Sequence, residues 1–263
     1  MPTLLPLMTI RLKTAQEIEI LREGGRRHAQ ILSILASQIK PGISTGILEE
    51  EALRLIKEGG DKPAHLGYQP RGAKRPFPAA LCLSINDEIV HGIPNENIRV
   101  LNEGDIVSID LSLEHRGMIT DSAVTVPCGA IDDESEKLLD VTRETLDRGI
   151  EVAIPGNTTG DIGEAITDSV KPSGFSIADD LAGHGVGFEI HEEPYVPNFG
   201  IRGKGEKLIP GLVIAIEPMV NVGKSGIKVS PDGYTIKTRD GSRSAHFEHT
   251  VAITEKGNIV LTQ

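Results

Sequence analysis

The chain has 263 residues, enough for a sizeable core in one domain or two, and its 38% hydrophobic and 25% charged content is an ordinary globular balance. An excess of 38 acidic over 27 basic residues gives a formal net charge of −11, which excludes the basic stripe of a nucleic-acid groove. Two cysteines, Cys82 and Cys128, form no CxxC pair, so a secreted disulfide framework is excluded in favour of a reducing, cytoplasmic setting. No run approaches the roughly 20 apolar residues of a membrane span.

Met1 to Met8 lacks a basic leading segment and is followed at once by Arg11 and Lys13, so residues 1–13 read as an N-terminal extension, with Met8 an alternative start. A capping box, Thr14 with Glu17, opens the first helix, whose apolar face runs through Ile18, Leu21, Leu32, Leu35 and Ile39 to the stop at Pro41-Gly42. Ser44-Thr45 caps a second helix that runs to Gly59-Gly60. From Ala80 to Val126 short apolar or alternating runs, separated by Gly, Pro and Asn, predict strands. Asp133 with Glu136 then caps a third helix through Val152, and Thr158-Thr159 starts a fourth that ends near Lys171-Pro172. A second β-rich stretch fills the remainder.

The order helix, helix, strands thus occurs twice. Pro41-Gly42-Ile43-Ser44-Thr45-Gly46 resembles Pro155-Gly156-Asn157-Thr158-Thr159-Gly160, and the strand ending in Asp110 resembles the strand ending in Glu217. The expectation is an α+β fold of two pseudo-repeats, about 14–130 and 131–263, forming a single domain (14–263). Helices would cover one face of a mostly antiparallel sheet.

Ile106 to Leu113 and Met118 to Val126 read as a hairpin. A two-residue loop at His115-Arg116 would set Asp110 directly opposite Asp121, with Cβ atoms about 5 Å apart. Two ionised carboxylates there repel unless one takes a proton or a cation bridges them; the other reading is a solvent-exposed polar face. Ser108, Asp110 and Ser112 share one side of the first strand, with Val107, Ile109, Leu111 and Leu113 on the other. Glu217 ends the near-continuous apolar run Leu212 to Ile216, where a buried acid needs a cation or a salt bridge. Glu248 begins a final strand. His184 lies among Gly183, Gly185 and Gly187, a context that permits close backbone approach. His91 and His191 stand in loops at Val90-His91-Gly92-Ile93-Pro94 and Ile190-His191-Glu192-Glu193-Pro194. Four acids and a histidine, if they converge, suit one or two divalent cations, more naturally Mn, Fe, Co or Zn than Mg alone.

The strings Ser84-Ile85-Asn86, His91-Gly92-Ile93-Pro94, Gly104-Asp105-Ile106-Val107, Thr120-Asp121, Gly183-His184-Gly185-Val186-Gly187, His191-Glu192-Glu193-Pro194, Ile216-Glu217-Pro218-Met219-Val220 and Glu248-His249-Thr250 together resemble the type I methionine aminopeptidases, over the whole chain from about Met8. The resemblance implies the pita-bread fold and a metallo-exopeptidase that removes initiator methionine from nascent chains with a small second residue. It makes Asp110, Asp121, His184, Glu217 and Glu248 the ligands of two divalent ions (Co, Mn, Fe, Zn or Ni), with a monovalent-cation site near Asn86 and Ser244. His91 would contact the scissile amide nitrogen and His191 the carbonyl oxygen, while Glu217 accepts a proton from the attacking water. Tyr68, Phe77, Cys82, Ile190 and Tyr234 fall on pocket-wall positions.

Departures from the family pattern cluster at that wall. Tyr234 stands for a tryptophan, Ile190 for an aromatic and His65 for a cysteine, and the loop Gln69 to Pro76, with Arg71, Lys74 and Arg75, is longer and more basic. The expected partners are nascent polypeptide N-termini beginning with Met and a transient ribosome contact, without nucleic acid or membrane, for a monomer. A proline-specific peptidase of the same fold and a non-catalytic binding homologue are the alternatives. The type II class is disfavoured because Glu217 and Glu248 are only 31 positions apart.

Overall fold

The computed structural model describes residues 10–70 and 72–263; the readings made on Met1, Met8 and Arg71 lie outside them. Thr14 caps α1 (Ala15–Gln38) through the reciprocal bonds expected with Glu17, and Ser44 caps α2 (Thr45–Gly59) by accepting from the Ile47 amide. Three short strands, β1 (Lys62–Pro63), β2 (Leu81–Ile85) and β3 (Glu88–Val90), lead into a long hairpin of β4 (Asp105–His115) and β5 (Met118–Cys128). The third helix, α3 (Asp133–Val152), is capped by Asp132, whose side chain accepts from the Ser135 amide, not by Asp133. Either acid could serve, and the chain places the earlier one. Thr158 and Asp161 form a capping box at α4 (Thr159–Val170).

Short strands β6 (Ser176–Ile177), β7 (Ala182–Gly185), β8 (Glu192–Pro197), β9 (Val213–Ile216), β10 (Met219–Asn221), β11 (Ile227–Val229), β12 (Ile236–Thr238) and β13 (Ser244–His246) precede the closing hairpin of β14 (Glu248–Thr254) and β15 (Gly257–Val260). The main sheet has nine strands in the order β1-β4-β5-β14-β9-β7-β8, with β2 also on β4 and β15 also on β14, and every pairing is antiparallel. The result is the expected α+β arrangement, a curled antiparallel sheet with four α-helices among the described residues.

Two cores cover one face of the sheet. Leu32, Leu35, Leu48 and Ile56 of α1 and α2 pack on Val107, Ile109, Leu111 and Leu113 of β4. Leu138, Leu146, Ile162 and Ile166 of α3 and α4 pack on Ile214 and Ile216 of β9 and on Val251 and Ile253 of β14. Strand alternation then turns Ser108, Asp110 and Ser112, and likewise Glu217 and Glu248, to the other face. That polar face is buried too, since Ser108, Asp110, Ser112 and Asp121 are each at most 7% exposed, so the solvent-exposed reading does not hold. Close packing of α1 needs Gly25, where a Cβ would run into the carbonyl of Leu261.

The hairpin register differs from expectation. The two turn residues are Arg116 and Gly117, both at positive φ (51° and 81°), and His115 pairs with Met118. This is the twist-matched turn that favours Gly at its second position. Asp110 therefore faces Ala123, and Asp121 faces Ser112. The slip is two positions, so both aspartates stay on one face as diagonal neighbours.

Candidate metal centre

Asp110 on β4, Asp121 on β5, His184 on β7, Glu217 just after β9 and Glu248 at the start of β14 open onto one cavity of about 170 Å³, together with His65, His91, His191 and His246. Hydrogen bonds between strands hold the acids in place. The Ser112 hydroxyl donates to Asp121 Oδ1 (2.8 Å), the Thr250 hydroxyl donates to the Asp121 carbonyl (2.7 Å), and the Ser122 hydroxyl donates to the Glu248 carbonyl (2.7 Å). Asn198 Nδ2 donates to the Glu217 carbonyl (2.9 Å).

The donor atoms are under-partnered. Asp110 Oδ1, Glu217 Oε1, Glu248 Oε1 and both ring nitrogens of His246 are buried without a hydrogen-bond partner among the described residues. Burial raises all four carboxyl groups: Asp110 is pushed up to about 8, with the Glu217 charge adding to the effect, and Asp121, Glu217 and Glu248 stand well above their ordinary values, again with neighbouring carboxylates adding. No Lys or Arg among the described residues lines the cavity. His184 adds a nitrogen donor to the oxygen set. Its Nδ1–H donates to the Gly185 carbonyl (3.0 Å), so Nε2 presents a lone pair 3.3 Å from Glu217 Oε1 and 3.9 Å from Asp121 Oδ2. Burial drops this ring to about 3, so near neutral pH it stays an uncharged donor. A cation placed between that lone pair and the carboxyl oxygens would bind both and displace the carboxyl protons. One N and several O donors, one ring nitrogen already oriented by a backbone carbonyl, fit divalent metal.

The two loop histidines flank these ligands. His191 packs edge-on against His184, with ring centroids 4.4 Å apart. Its Nδ1 lies 2.8 Å from the Tyr68 hydroxyl. Burial raises the Tyr68 phenol and drops His191 to about 4, so the phenol donates to Nδ1 and leaves Nε2–H as a free donor. His91 sits at φ 59°, and its carbonyl accepts from the Thr235 hydroxyl (3.3 Å). Gly92 follows because a Cβ there would strike the Leu83 carbonyl. The His191 loop is held from behind. Lys13, its side chain fully buried, pairs with Glu192 Oε2 at 2.6 Å, while Glu192 Oε1 accepts from the amides of Phe188 and Glu189.

Of the expected pocket-wall residues, Phe77, Cys82 and Tyr234 form an apolar cluster with Ala79 and Ile93. The cluster abuts the cavity through His65, whose ring centroid is 5.9 Å from that of Phe77. Ile190 is buried beside the His191 loop, in a cluster with Leu21, Met118, Ile119 and Val213 against which Tyr68 also packs. The Ser244 amide donates to the Asn86 carbonyl (2.9 Å), which brings those two residues together. His246 was not anticipated. It lies 3.6 Å from Glu217 Oε2 and 3.9 Å from Glu248 Oε2; its signal was its place two residues before Glu248. A larger groove of about 640 Å³ between α3 and α4 is open and lined by Lys137, Arg148 and Asp168 rather than by converging donors.

The sequence model of metallopeptidase family M24 matches residues 19–255. The chain belongs to this family. Within M24 the chain is similar to the methionine aminopeptidase of Aquifex aeolicus, at 46% identity over 97% of this chain and 100% of that one. It is 45% identical to methionine aminopeptidase 1 of Bacillus subtilis, over 95% of this chain and 98% of that one. The crystal structure of Thermotoga maritima methionine aminopeptidase superposes with a TM-score of 0.92 at 41% identity, covering 97% and 100% of the two chains. Pyrococcus horikoshii prolidase shares the fold alone, with a TM-score of 0.73 at 21% identity over 96% of this chain and 63% of that one.

Proposed function

We propose that this M24 protein is a type I methionine aminopeptidase, a metal-dependent hydrolase that removes the initiator methionine from nascent chains whose second residue is small. The observation that carries the reading is the convergence on one cavity of four buried carboxyl groups, three of them with an unpartnered oxygen among the described residues, and the lone pair of His184. Asp110, Asp121, His184, Glu217 and Glu248 would hold two divalent cations. When bound, such ions supply Lewis acidity, an acidified water and an anchor for a free α-amine. Glu217 Oε1, without a hydrogen-bond partner among the described residues, accepts the proton of the attacking water. His191, its Nδ1 occupied by Tyr68, donates from Nε2 to the oxyanion, a contribution of about 3 kcal/mol for one well-aimed donor. His91 orients the leaving amide nitrogen. The methionine side chain enters beside His65 toward Phe77, Cys82 and Tyr234, where the thioether suits an apolar, aromatic-lined wall.

The test is methionine release from a Met-Gly-Met peptide by protein loaded with each candidate metal, beside an Xaa-Pro peptide and a metal-free control. Release from the first peptide alone, and only with metal, is expected. Cleavage of the Xaa-Pro peptide would transfer the reading to the proline-specific branch, and no release under any metal would leave a binding homologue.

A further inference from the structure

Behind the acids lies a second set of donors. Cys82 and Asp110 are direct partners across β2 and β4, and His65 Nδ1 stands 3.8 Å from Cys82 Sγ. One ligand atom from each of His65, Cys82 and Asp110 falls within 4.8 Å of the others, and all three residues are buried. The ring tautomer follows from its neighbours. The Ser112 hydroxyl spends its only proton on Asp121 Oδ1 (2.8 Å), so at its 3.0 Å contact with His65 Nε2 it accepts. His65 therefore carries its proton on Nε2 and a lone pair on Nδ1, aimed at the thiol. A histidine whose far nitrogen donates to a polar group while the near one faces a sulfur and a carboxylate is the arrangement metal-ligating histidines adopt. Zn–S and Zn–N bonds of about 2.3 and 2.0–2.1 Å place sulfur and nitrogen ligands roughly 3.6 Å apart in a tetrahedral site, close to the observed spacing. Asp110 Oδ1 has no hydrogen-bond partner among the described residues.

We infer that His65, Cys82 and Asp110 form an additional site for a soft or borderline divalent cation such as Zn or Co, and that an ion there competes with the methionine side chain. Binding exchanges the Cys82 S–H bond for an S–metal bond, and the proton leaves to solvent. The site shares Asp110 with the dinuclear set, so it fills after the first two ions. It adjoins Phe77 and Tyr234, the wall at which the side chain of a methionyl substrate would end. That competitive half rests on the aminopeptidase reading; the binding half does not.

Anaerobic titration of the metal-free protein with cobalt(II) tests both. The expected result is a near-ultraviolet thiolate-to-cobalt charge-transfer band that grows only beyond two equivalents. It should persist in Cys128→Ser and vanish in Cys82→Ser and His65→Gln, which still take up two ions. With only two cysteines in the chain, the Cys128→Ser variant assigns the sulfur even if Cys82→Ser fails to fold. Saturation at two equivalents without the band, or a band lost with Cys128, overturns the site. In turnover, zinc beyond two equivalents should raise the apparent KM for a Met-Gly-Met peptide several-fold at unchanged kcat. An unchanged KM while the band forms overturns the competition. A protein that shows the band but releases no methionine at two equivalents would instead count against the aminopeptidase reading.

Discussion

Two buried carboxylate sites in this protein are solved in opposite ways. Glu88 is 5% exposed, yet Arg99 grips both its oxygens (2.7 and 2.8 Å), Lys237 stands 3.3 Å away and the Ile85 amide donates at 2.9 Å. Across β3 and the His91 loop, Asp110, Asp121, Glu217 and Glu248 are about as buried, but no basic side chain among the described residues meets them; the Ser112 hydroxyl donates to Asp121, and the surrounding histidines are kept neutral by burial. A carboxylate compensated by the chain is part of the scaffold; a set left uncompensated is a place made for something that arrives later. Desolvation without compensation is the cost of readiness, and it marks the site more surely than any single residue type.

The sharpest way to break this contrast is Glu217→Gln. The amide keeps the size but cannot take a proton, so kcat for a Met-Gly-Met peptide should fall by about 10³-fold or more, within the 10²–10⁴ range of general base catalysis plus weakened metal binding. A loss under tenfold at saturating metal would remove Glu217 from the chemistry. Next comes His191→Ala, where one oxyanion donor predicts a drop of about 10²–10³ in kcat with metal content by elemental analysis unchanged. Loss of metal together with rate would reassign it as a ligand.

The pH response separates the two sites further. Asp110 titrates near 8 in the folded protein against an ordinary value of 3.8, so between these values the folded state binds more protons than the unfolded chain. Stability that is present at low pH is therefore lost as pH rises toward 8. The buried histidines, lowered to about 3 or 4, act oppositely, but only below their ordinary value of 6.5. From about pH 6.5 to 8 the carboxylates act alone. The midpoint of urea unfolding of metal-free protein should fall across that window, and saturating metal should abolish the fall. A flat metal-free profile would contradict the uncompensated cluster. The smallest effect is expected at the compensated site. Arg99→Ala should cost roughly 1–3 kcal/mol by urea unfolding, with Lys237 retaining part of the pairing, and leave metal affinity by titration unchanged.

Much of this was readable beforehand because local chemistry dictated it. The capping boxes at Thr14 and Thr158 and the cap at Ser44 fixed where helices begin, and the apolar runs before Asp110 and Glu217 fixed which faces turn inward. The hairpin register was off by two because His115-Arg116 and Arg116-Gly117 are both plausible loop pairs by length; only the positive φ of the two turn residues decides, and Gly117 was the clue. The error was harmless since an even slip preserves the face. His246 escaped because a lone histidine beside Phe247 carries no periodic signal, and its role appears only when β13 and β14 bring it between Glu217 and Glu248.

The buried pair of Lys13 with Glu192 has a practical consequence for anyone shortening this enzyme. Proteolytic nibbling up to Arg11 leaves the strut intact, whereas clipping two residues further strips the counter-ion from an acid adjoining His191. A preparation trimmed past that lysine would be expected to keep its helices and lose its turnover.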